Sequence, residues 1–374
     1  MTLPTGQISF DNINIELEIA SGTQISLNDA AVRGLAEVPT GAIAMTDLQG
    51  KSNAQFLTAS GGTETTVGDY KVHVFNSSGT FTVNAVGNPA GSDAVDYVVV
   101  AGGGGGGGQG QGRLTGGGGG AGGYRESNPA PGTEWTGSPL ANPGGAVPVS
   151  VTSYPISIGS GGAATSGQDN RGCRGTASTF STVTSAGGGG GGTGQINAAS
   201  GCSGGSGGGA GHSWPYYPMP GGGGGNSPPV SPPQGQSGGN ACRKPGTACP
   251  QFTRCYAMIG GGGGGATQTG HTGPWPSPQN ANICGGAGAN SQISGSPQTL
   301  AGGGGGGGSC NNNSGGSGGG GRGGSINQQS SRASAGTANT GGGGGGQGCC
   351  WSPQPLNKPG AGGSGKVILR YKFQ

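Results

Sequence analysis

The segment Gly360-Ala-Gly-Gly-Ser-Gly-Lys366 comes closest to a nucleotide-binding motif, since glycine amides and a lysine at that spacing can cradle phosphate. Val367 stands where a hydroxyl is needed, and a strand follows where a helix should begin, so nucleotide binding is not expected. Other Gly-x-Gly-x-x-Gly matches carry no information in a chain with 99 glycines among 374 residues. The three histidines, His73, His212 and His271, fall in no Ser/His/Asp or Cys/His pattern, so packing or surface roles are expected rather than catalysis. Cys242, Cys249 and Cys255 are spaced more widely than zinc ligands usually are, so a disulfide-stapled loop is the preferred reading and no metal is expected. Neither an enzyme nor a cofactor is expected.

Composition likewise argues against an ordinary globular enzyme. Glycine is about four times its average frequency, charged residues are 8% and apolar residues 29%. Side-chain burial on that scale cannot offset the roughly 1–2 kcal/mol of backbone entropy for each ordered residue. The glycine lies between more ordinary segments. Residues 1–100 hold ten acidic and three basic side chains, and 101–365 hold three acidic and ten basic, so an acidic head precedes a basic body. The N-terminus lacks the basic and apolar regions of a signal peptide, and no stretch is apolar enough to span a membrane. Synthesis in a cytoplasm is expected, and nine cysteines then suggest release by lysis, as for a virion component.

Along the chain, 7–18 reads as extended, and a short helix is expected from a Ser26 cap until Gly34 stops it. Residues 70–76 and 80–85 alternate as a hairpin would. The strand 95–101 runs into glycine, and 366–373 places Val367, Leu369, Tyr371 and Phe373 on one face and Ile368, Arg370 and Lys372 on the other. The glycine region is therefore an insertion between two strands of one sheet, to which 147–159 and 176–185 also return.

Ten glycine-rich runs are visible: 102–108, 116–120, 187–192, 204–209, 221–225, 260–265, 302–308, 315–321, 341–346 and 359–365. Flexible linkers are seldom interrupted by loops bearing Trp, Tyr and Cys. The alternative is polyglycine II, a three-residue-per-turn helix without internal hydrogen bonds, whose amides and carbonyls must find neighbouring runs. An even number of alternating passes returns the chain to the sheet. The expected fold is mainly β and irregular. It comprises a small N-terminal module at 1–60, a β-sheet domain from 61–101, 147–186 and 366–374, and a bundle of about ten polyglycine II runs from 102–146 and 187–365.

Alternation places the connections 109–115, 193–203, 226–259, 309–314 and 347–358 at a far tip. That tip would hold Cys202, Cys242, Cys249, Cys255, Cys310, Cys349 and Cys350, leaving Cys173 and Cys284 at the sheet end, where they could pair. It would be basic through Arg113, Arg243, Lys244, Arg254 and Lys358, with no acidic residue, and suited to an anionic surface such as lipopolysaccharide. Phe252, Tyr256 and Trp351 there are binding anchors or covers for the bundle end. Trp214, Tyr216, Tyr217 and Trp275 are expected at the sheet end.

Two resemblances add to this reading. Gln24–Ala36 followed by Gly41–Ser52 resembles a module near the start of phage tail proteins. Val98-Val-Val-Ala-Gly-Gly-Gly, the pure-glycine runs and Gly365-Lys-Val-Ile-Leu-Arg-Tyr371 resemble the polyglycine sandwich of adhesins at the tips of T-even-like long tail fibres. The resemblance implies a virion tail-fibre or tail-tip protein, joined to other tail proteins by its N-terminal module. Its distal loops would bind a host receptor, protein or lipopolysaccharide, with a homo-oligomer possible and no nucleic acid involved. A structural fibre or decoration subunit is the second reading. An ice-binding bundle ranks below both, lacking a flat Thr/Ala face.

Overall fold

A computed structural model describes residues 2–88, 91–109, 114–129, 135–165, 170–195, 198–212, 219–243, 258–272, 283–308, 313–325, 332–348 and 358–374, with only the backbone of Arg243 and Met258. The protein is mostly β and irregular, with little helix.

The first helix, α1 (Phe10–Glu16), occupies a stretch expected to be extended. A capping box decides it: the Asn12 amide donates to Ser9 Oγ (3.1 Å), and the Ser9 amide donates to Asn12 Oδ1 (2.8 Å). The second, α2 (Ala30–Ala36), begins at Asp29 rather than Ser26, passes through Gly34 and stops at Glu37 in the left-handed region. Ser26 is spent on the preceding turn, where its hydroxyl accepts from the Asn28 amide. Leu3, Ile13, Val32, Leu35 and Leu48 form a separate small core. Glu16, buried, ties the module onward by accepting from the Asn53 amide (2.8 Å).

Sixteen strands follow among the described residues. A five-stranded sheet is ordered β1 (Thr58–Ser60), β4 (Gly79–Ala85), β9 (Ser153–Ser157), β10 (Ser178–Phe180), β11 (Val183–Ser185). A seven-stranded sheet runs β2 (Thr63–Val67), β3 (Tyr70–Phe75), β16 (Lys366–Lys372), β5 (Ala94–Val100), β6 (Tyr124–Ser127), β7 (Ala141–Asn142), with β8 (Val147–Pro148) on β5. Strands β3 and β4 are not a hairpin: Ser77-Ser78 carries the chain from one sheet to the other. The reason is burial, since Phe75, Phe81 and Val83 all belong to one core between the sheets.

Strand β16 lies between β3 and β5, both antiparallel to it, so the glycine region is an insertion between neighbouring strands. Val367, Leu369 and Tyr371 join Val95, Tyr97, Val99, Ile156 and Phe180 inside the sandwich. Ile368, on the opposite face with Val72, Val98 and Val100, meets Ala121, Ala266, Leu300 and Ala301 at the near end of the bundle. Arg370 is buried on that face, its guanidinium 4.1 Å from the centre of the Tyr70 ring and its Nη1 donating to Ile293 O (3.2 Å).

Among the described residues the bundle consists of nine outward runs, each followed by an inward one: 102–108 and 116–123, 159–165 and 170–176, 186–193 and 199–205, 206–212 and 219–225, 235–241 and 259–265, 268–272 and 283–288, 301–308 and 313–318, 319–325 and 332–337, 341–348 and 358–365. The even parity holds, but the number is eighteen rather than about ten. Two stretches read as single runs, 204–209 and 315–321, each contain a turn between two runs; the second turns through Gly318 and Gly319 at φ +95° and +91°. Six other runs lie at the periphery and contain too little consecutive glycine to stand out by composition. Among them, 159–165 and 170–176 fall inside what reads as sheet sequence.

The three-residue period is visible in the bonds of the run 102–108. The amides of Gly102 and Gly105 donate to Thr176 and Cys173, those of Gly103 and Gly106 to Gly363 and Gly360, and those of Gly104 and Gly107 to Gly120 and Gly117, all at 2.8–3.1 Å. Its carbonyls accept from three other runs, through Gly162, Gly188 and Gly344 among others. Six runs therefore surround it in a hexagonal array, as they do 116–123, 301–308 and 341–348. A Cβ built on any residue from Gly102 to Gly107 would meet a backbone carbonyl of a neighbouring run, which is why these runs admit only glycine. Peripheral runs need glycine only where they face inward: Gly159, Gly162 and Thr165 are buried, while Ser160 and Ala163 are exposed.

Candidate functional site: the far end of the bundle

Alternation gives the bundle two unlike ends. At the near end short turns meet the sandwich. At the far end nine connections join outward to inward runs, across residues 109–115, 166–169, 194–198, 213–218, 242–258, 273–282, 309–312, 326–331 and 349–357.

Described residues anchor these connections. Strands β12 (Cys242–Arg243) and β13 (Met258–Ile259) pair as the base of the longest, with Ile259 buried against Ile283. The Gln109 amide donates to Gln347 Oε1 (2.8 Å), joining the first connection to the last. Arg171 Nε donates to Ala198 O (3.1 Å). The His212 amide donates to Thr115 O (2.9 Å), fixing the run 206–212 as outward-going.

Several expected positions change. Residues 226–234 are at the sheet end, since Gln234 O accepts from the Tyr124 amide and its Oε1 from the Ala186 amide, both at 2.8 Å. The chain then runs outward again, so only 242–258 of the expected 226–259 loop is distal. Trp214, Tyr216, Tyr217 and Trp275 lie outside the described residues, but His212, Thr272 and Ile283, which flank their segments, are at the far end and not the sheet end. The shift follows from the overlooked runs.

Of the expected surface residues, Lys358 is exposed at the start of the last inward run, and Arg243 has its backbone in β12. Arg113, Lys244, Phe252, Arg254, Tyr256 and Trp351 lie outside the described residues, as do Cys249, Cys255, Cys310, Cys349 and Cys350. Cys173 is exposed and Cys202 half-buried, both as unbonded thiols in peripheral runs, so Cys173 is not paired with Cys284. Neither is where it was expected: Cys173 O accepts from Gly105 within the bundle, and the Cys202 amide donates to Gly190 O. Cys242 and Cys284 adjoin far-end connections.

The charge asymmetry acquires an address. Beyond position 134 the chain has eight basic residues up to 365 and one acidic, Asp169. Asp169 lies outside the described residues, in the sequence between the runs 159–165 and 170–176. Gly360–Gly365 is an inward run whose amides donate to Gly345, Gly162, Gly342 and Gly159, which leaves no phosphate cradle there. Among the described residues no three His, Cys, Asp or Glu side chains converge as a metal site would require.

The head holds the perturbed titratable groups. His73 is buried, its Nδ1–H donating to Gly61 O (2.7 Å) and its ring stacked on Tyr371 at 5.6 Å; burial lowers its pKa. The Tyr371 hydroxyl is pushed up to about 12 by burial. Burial also raises Asp96, despite the hydrogen bond from Ser127, and Glu126, despite that from the Ser138 amide. These groups lie between packed sheets and bundle, where they fix the sandwich and meet no open cleft in the described residues.

A family model described as a glycine-rich domain matches residues 76–372. The chain belongs to this glycine-rich domain family. The match begins as the chain leaves β3 and ends with β16, so the glycine-rich domain comprises most of the sandwich and the whole bundle, without the N-terminal module. No curated protein matches the chain.

Proposed function

We propose that this protein is a phage tail-fibre or tail-tip subunit whose glycine-rich domain presents its far-end connections to the host cell surface. The carrying observation is the polarity of the bundle, with nine connections gathered at the end opposite the sheets. By sequence those connections contain Trp214, Tyr216, Tyr217, Phe252, Tyr256, Trp275 and Trp351, together with Arg113, Lys244 and Arg254. Varied loops on a rigid scaffold are the usual arrangement for recognition, and aromatic and arginine residues are the usual anchors. A basic surface suits an anionic partner such as lipopolysaccharide, with attraction that weakens as salt screens it. The small N-terminal module, with its own core, suits attachment to other tail proteins.

The test is adsorption. Particles carrying a deletion within 244–257, or Arg254→Ala with Tyr256→Ala, should lose host adsorption while still assembling. Unchanged adsorption would sink the proposal. Labelling along the whole fibre instead of at its tip would favour a structural subunit.

A further inference from the structure

The eighteen runs fill a regular pattern of one, six and eleven. Run 116–123 is at the centre, and 102–108, 186–193, 206–212, 259–265, 301–308 and 341–348 surround it. The other eleven form an outer ring in which each bonds to the next. It passes from 199–205 through 219–225, 235–241, 268–272, 283–288, 313–318, 319–325, 332–337, 358–365 and 159–165 to 170–176. The second ring of a hexagonal array has twelve places. One corner is therefore vacant among the described residues, between 170–176 and 199–205, with 186–193 as its floor. Arg171 reaches across it from one wall, its Nε donating to Ala198 O at the head of the other (3.1 Å).

The floor of this notch presents unused donors. The Gly190 carbonyl accepts from Cys202 in one wall, and a Cβ on Gly190 would meet Gly172 O in the other, so its amide points between them. Gly190 is buried, and neither its amide nor that of Gly187, one turn nearer the sheets, has a partner among the described residues. The carbonyls of Gly172 and Gly175 in one wall, and of Ser200 and Ser203 in the other, likewise have none. A nineteenth run would pair with all of these, but the sequence bars it. Successive residues turn by a third of a circle. Gly172 and Gly175 face 102–108, where a Cβ would meet Gly105 O and Gly102 O, so the next row, Arg171 and Arg174, faces the notch. Cys202 faces it from the opposite wall. A packed run needs glycine in those rows, as the interior runs have. Backbone cannot close the corner, and a ligand must reach the floor with single projecting groups.

We infer that this vacant corner binds an acidic glycan strand lying along the side of the bundle. Arg171 and Arg174 are exposed, Arg174 has no partner among the described residues, and no acidic residue occurs from 170 to 205. The Gly172 amide donates to Gly191 O and the Gly175 amide to Gly188 O, which sets Arg174 level with Gly189 and Gly190. A sugar carboxylate there accepts from both the Arg174 guanidinium and the Gly190 amide, in charge-assisted bonds. Sugar hydroxyls supply the donors that the four wall carbonyls lack, which a free anion does not. The pattern also repeats, since Arg171 and Arg174, and Gly187 and Gly190, are each three residues apart, about 9 Å at the rise of this helix. A strand of sugars bearing acids engages both levels. The notch is built of residues separate from the far-end connections, and what those bind does not bear on it.

Two thiols make the test specific. Cys202 faces the notch level with Gly190, to whose carbonyl its amide donates, whereas Cys173 is exposed on the far side of the run that carries the arginines. Alkylation of the full-length protein by iodoacetamide, followed by peptide mass spectrometry, reads each thiol separately. An oligogalacturonate should slow alkylation of Cys202 and leave Cys173 unchanged, and added salt should abolish the protection. By titration calorimetry, Arg171→Gln and Arg174→Gln should each weaken binding about tenfold, the loss of one charge-assisted bond. Melting temperatures should not change, since both side chains are exposed. Failure of the oligogalacturonate to protect Cys202, equal protection of both thiols, or binding that survives the double substitution overturns the inference. So does equal protection of Cys202 by a neutral maltooligosaccharide of the same length, or by inorganic phosphate at the same concentration of charge.

Discussion

Replacing Gly104 by alanine adds one methyl group at the centre of the bundle and tests whether the array is real. The new Cβ would lie 2.5 Å from the carbonyl carbon of Gly189 and 3.0 Å from Gly188 O. Carbon contacts are comfortable at about 3.5–4.0 Å, so the runs 102–108 and 186–193 would have to part by about 1 Å. Two bonds hold these runs together directly, from the Gly188 amide to Gly102 O and from the Gly191 amide to Gly105 O, both 2.9 Å. Stretched by that amount they exceed hydrogen-bonding distance. Losing two buried bonds costs about 1–3 kcal/mol each, or about 2–6 kcal/mol. Opposing this, alanine reduces unfolded-state entropy by only about 0.4–1 kcal/mol. The expected net loss of about 2–5 kcal/mol should lower the melting temperature by roughly 5–15 °C, at about 2–4 °C per kcal/mol. Circular dichroism or scanning fluorimetry reads it. Gly34→Ala is the contrasting case: it sits inside α2 with nothing within 4 Å of its Cβ, and should stabilise its module by about 0.5–1 kcal/mol. Equal melting of Gly104→Ala and the unaltered protein would refute the reasoning.

Other expectations concern the head. His73 has its pKa lowered by burial, below the ordinary 6.5. The unfolded chain therefore binds the extra proton, and stability present above pH 6.5 should be lost as pH falls below it. His73→Gln should flatten that slope in melting temperature measured from pH 7.5 to 5. Glu126 behaves oppositely: burial raises its folded pKa above the ordinary 4.5, so its contribution is full below that pH and declines as pH rises through the folded value. Glu126→Gln should therefore melt higher than the unaltered protein at pH 7, with the difference shrinking towards pH 4. Arg370→Ala leaves Asp96 buried without its nearby cation, and should cost about 3–5 kcal/mol in denaturant unfolding.

The strand faces at 366–373, the insertion between β5 and β16 and the even parity were all legible, because alternation and flanking strands are local signals. The run count was not. Counting pure glycine finds above all the runs surrounded on all sides, such as 102–108 and 301–308, where a Cβ has nowhere to go. It passes over 159–165, whose inward positions Gly159, Gly162 and Thr165 recur every third residue among Ser and Ala. A search for small residues at that period would have found it. It also takes 204–209 for one run, since a turn made of glycine and serine looks like its flanks. Each overlooked run inverts the direction of every later run, which is why 226–234 and the residues His212, Thr272 and Ile283 sit at the ends opposite to those expected. In the N-terminal module, the alternating apolar pattern of 7–18 was overridden by the reciprocal bonds of Ser9 and Asn12.

Residue-resolved hydrogen exchange of the glycine amides tests the scaffold most directly. If 102–108, 116–123 and 301–308 are interior runs, the amides of Gly103–Gly107, Gly117–Gly120 and Gly302–Gly307 should exchange only through global unfolding, as slowly as those of β5 and β16. Exchange within seconds, as for a flexible glycine linker, would contradict the account.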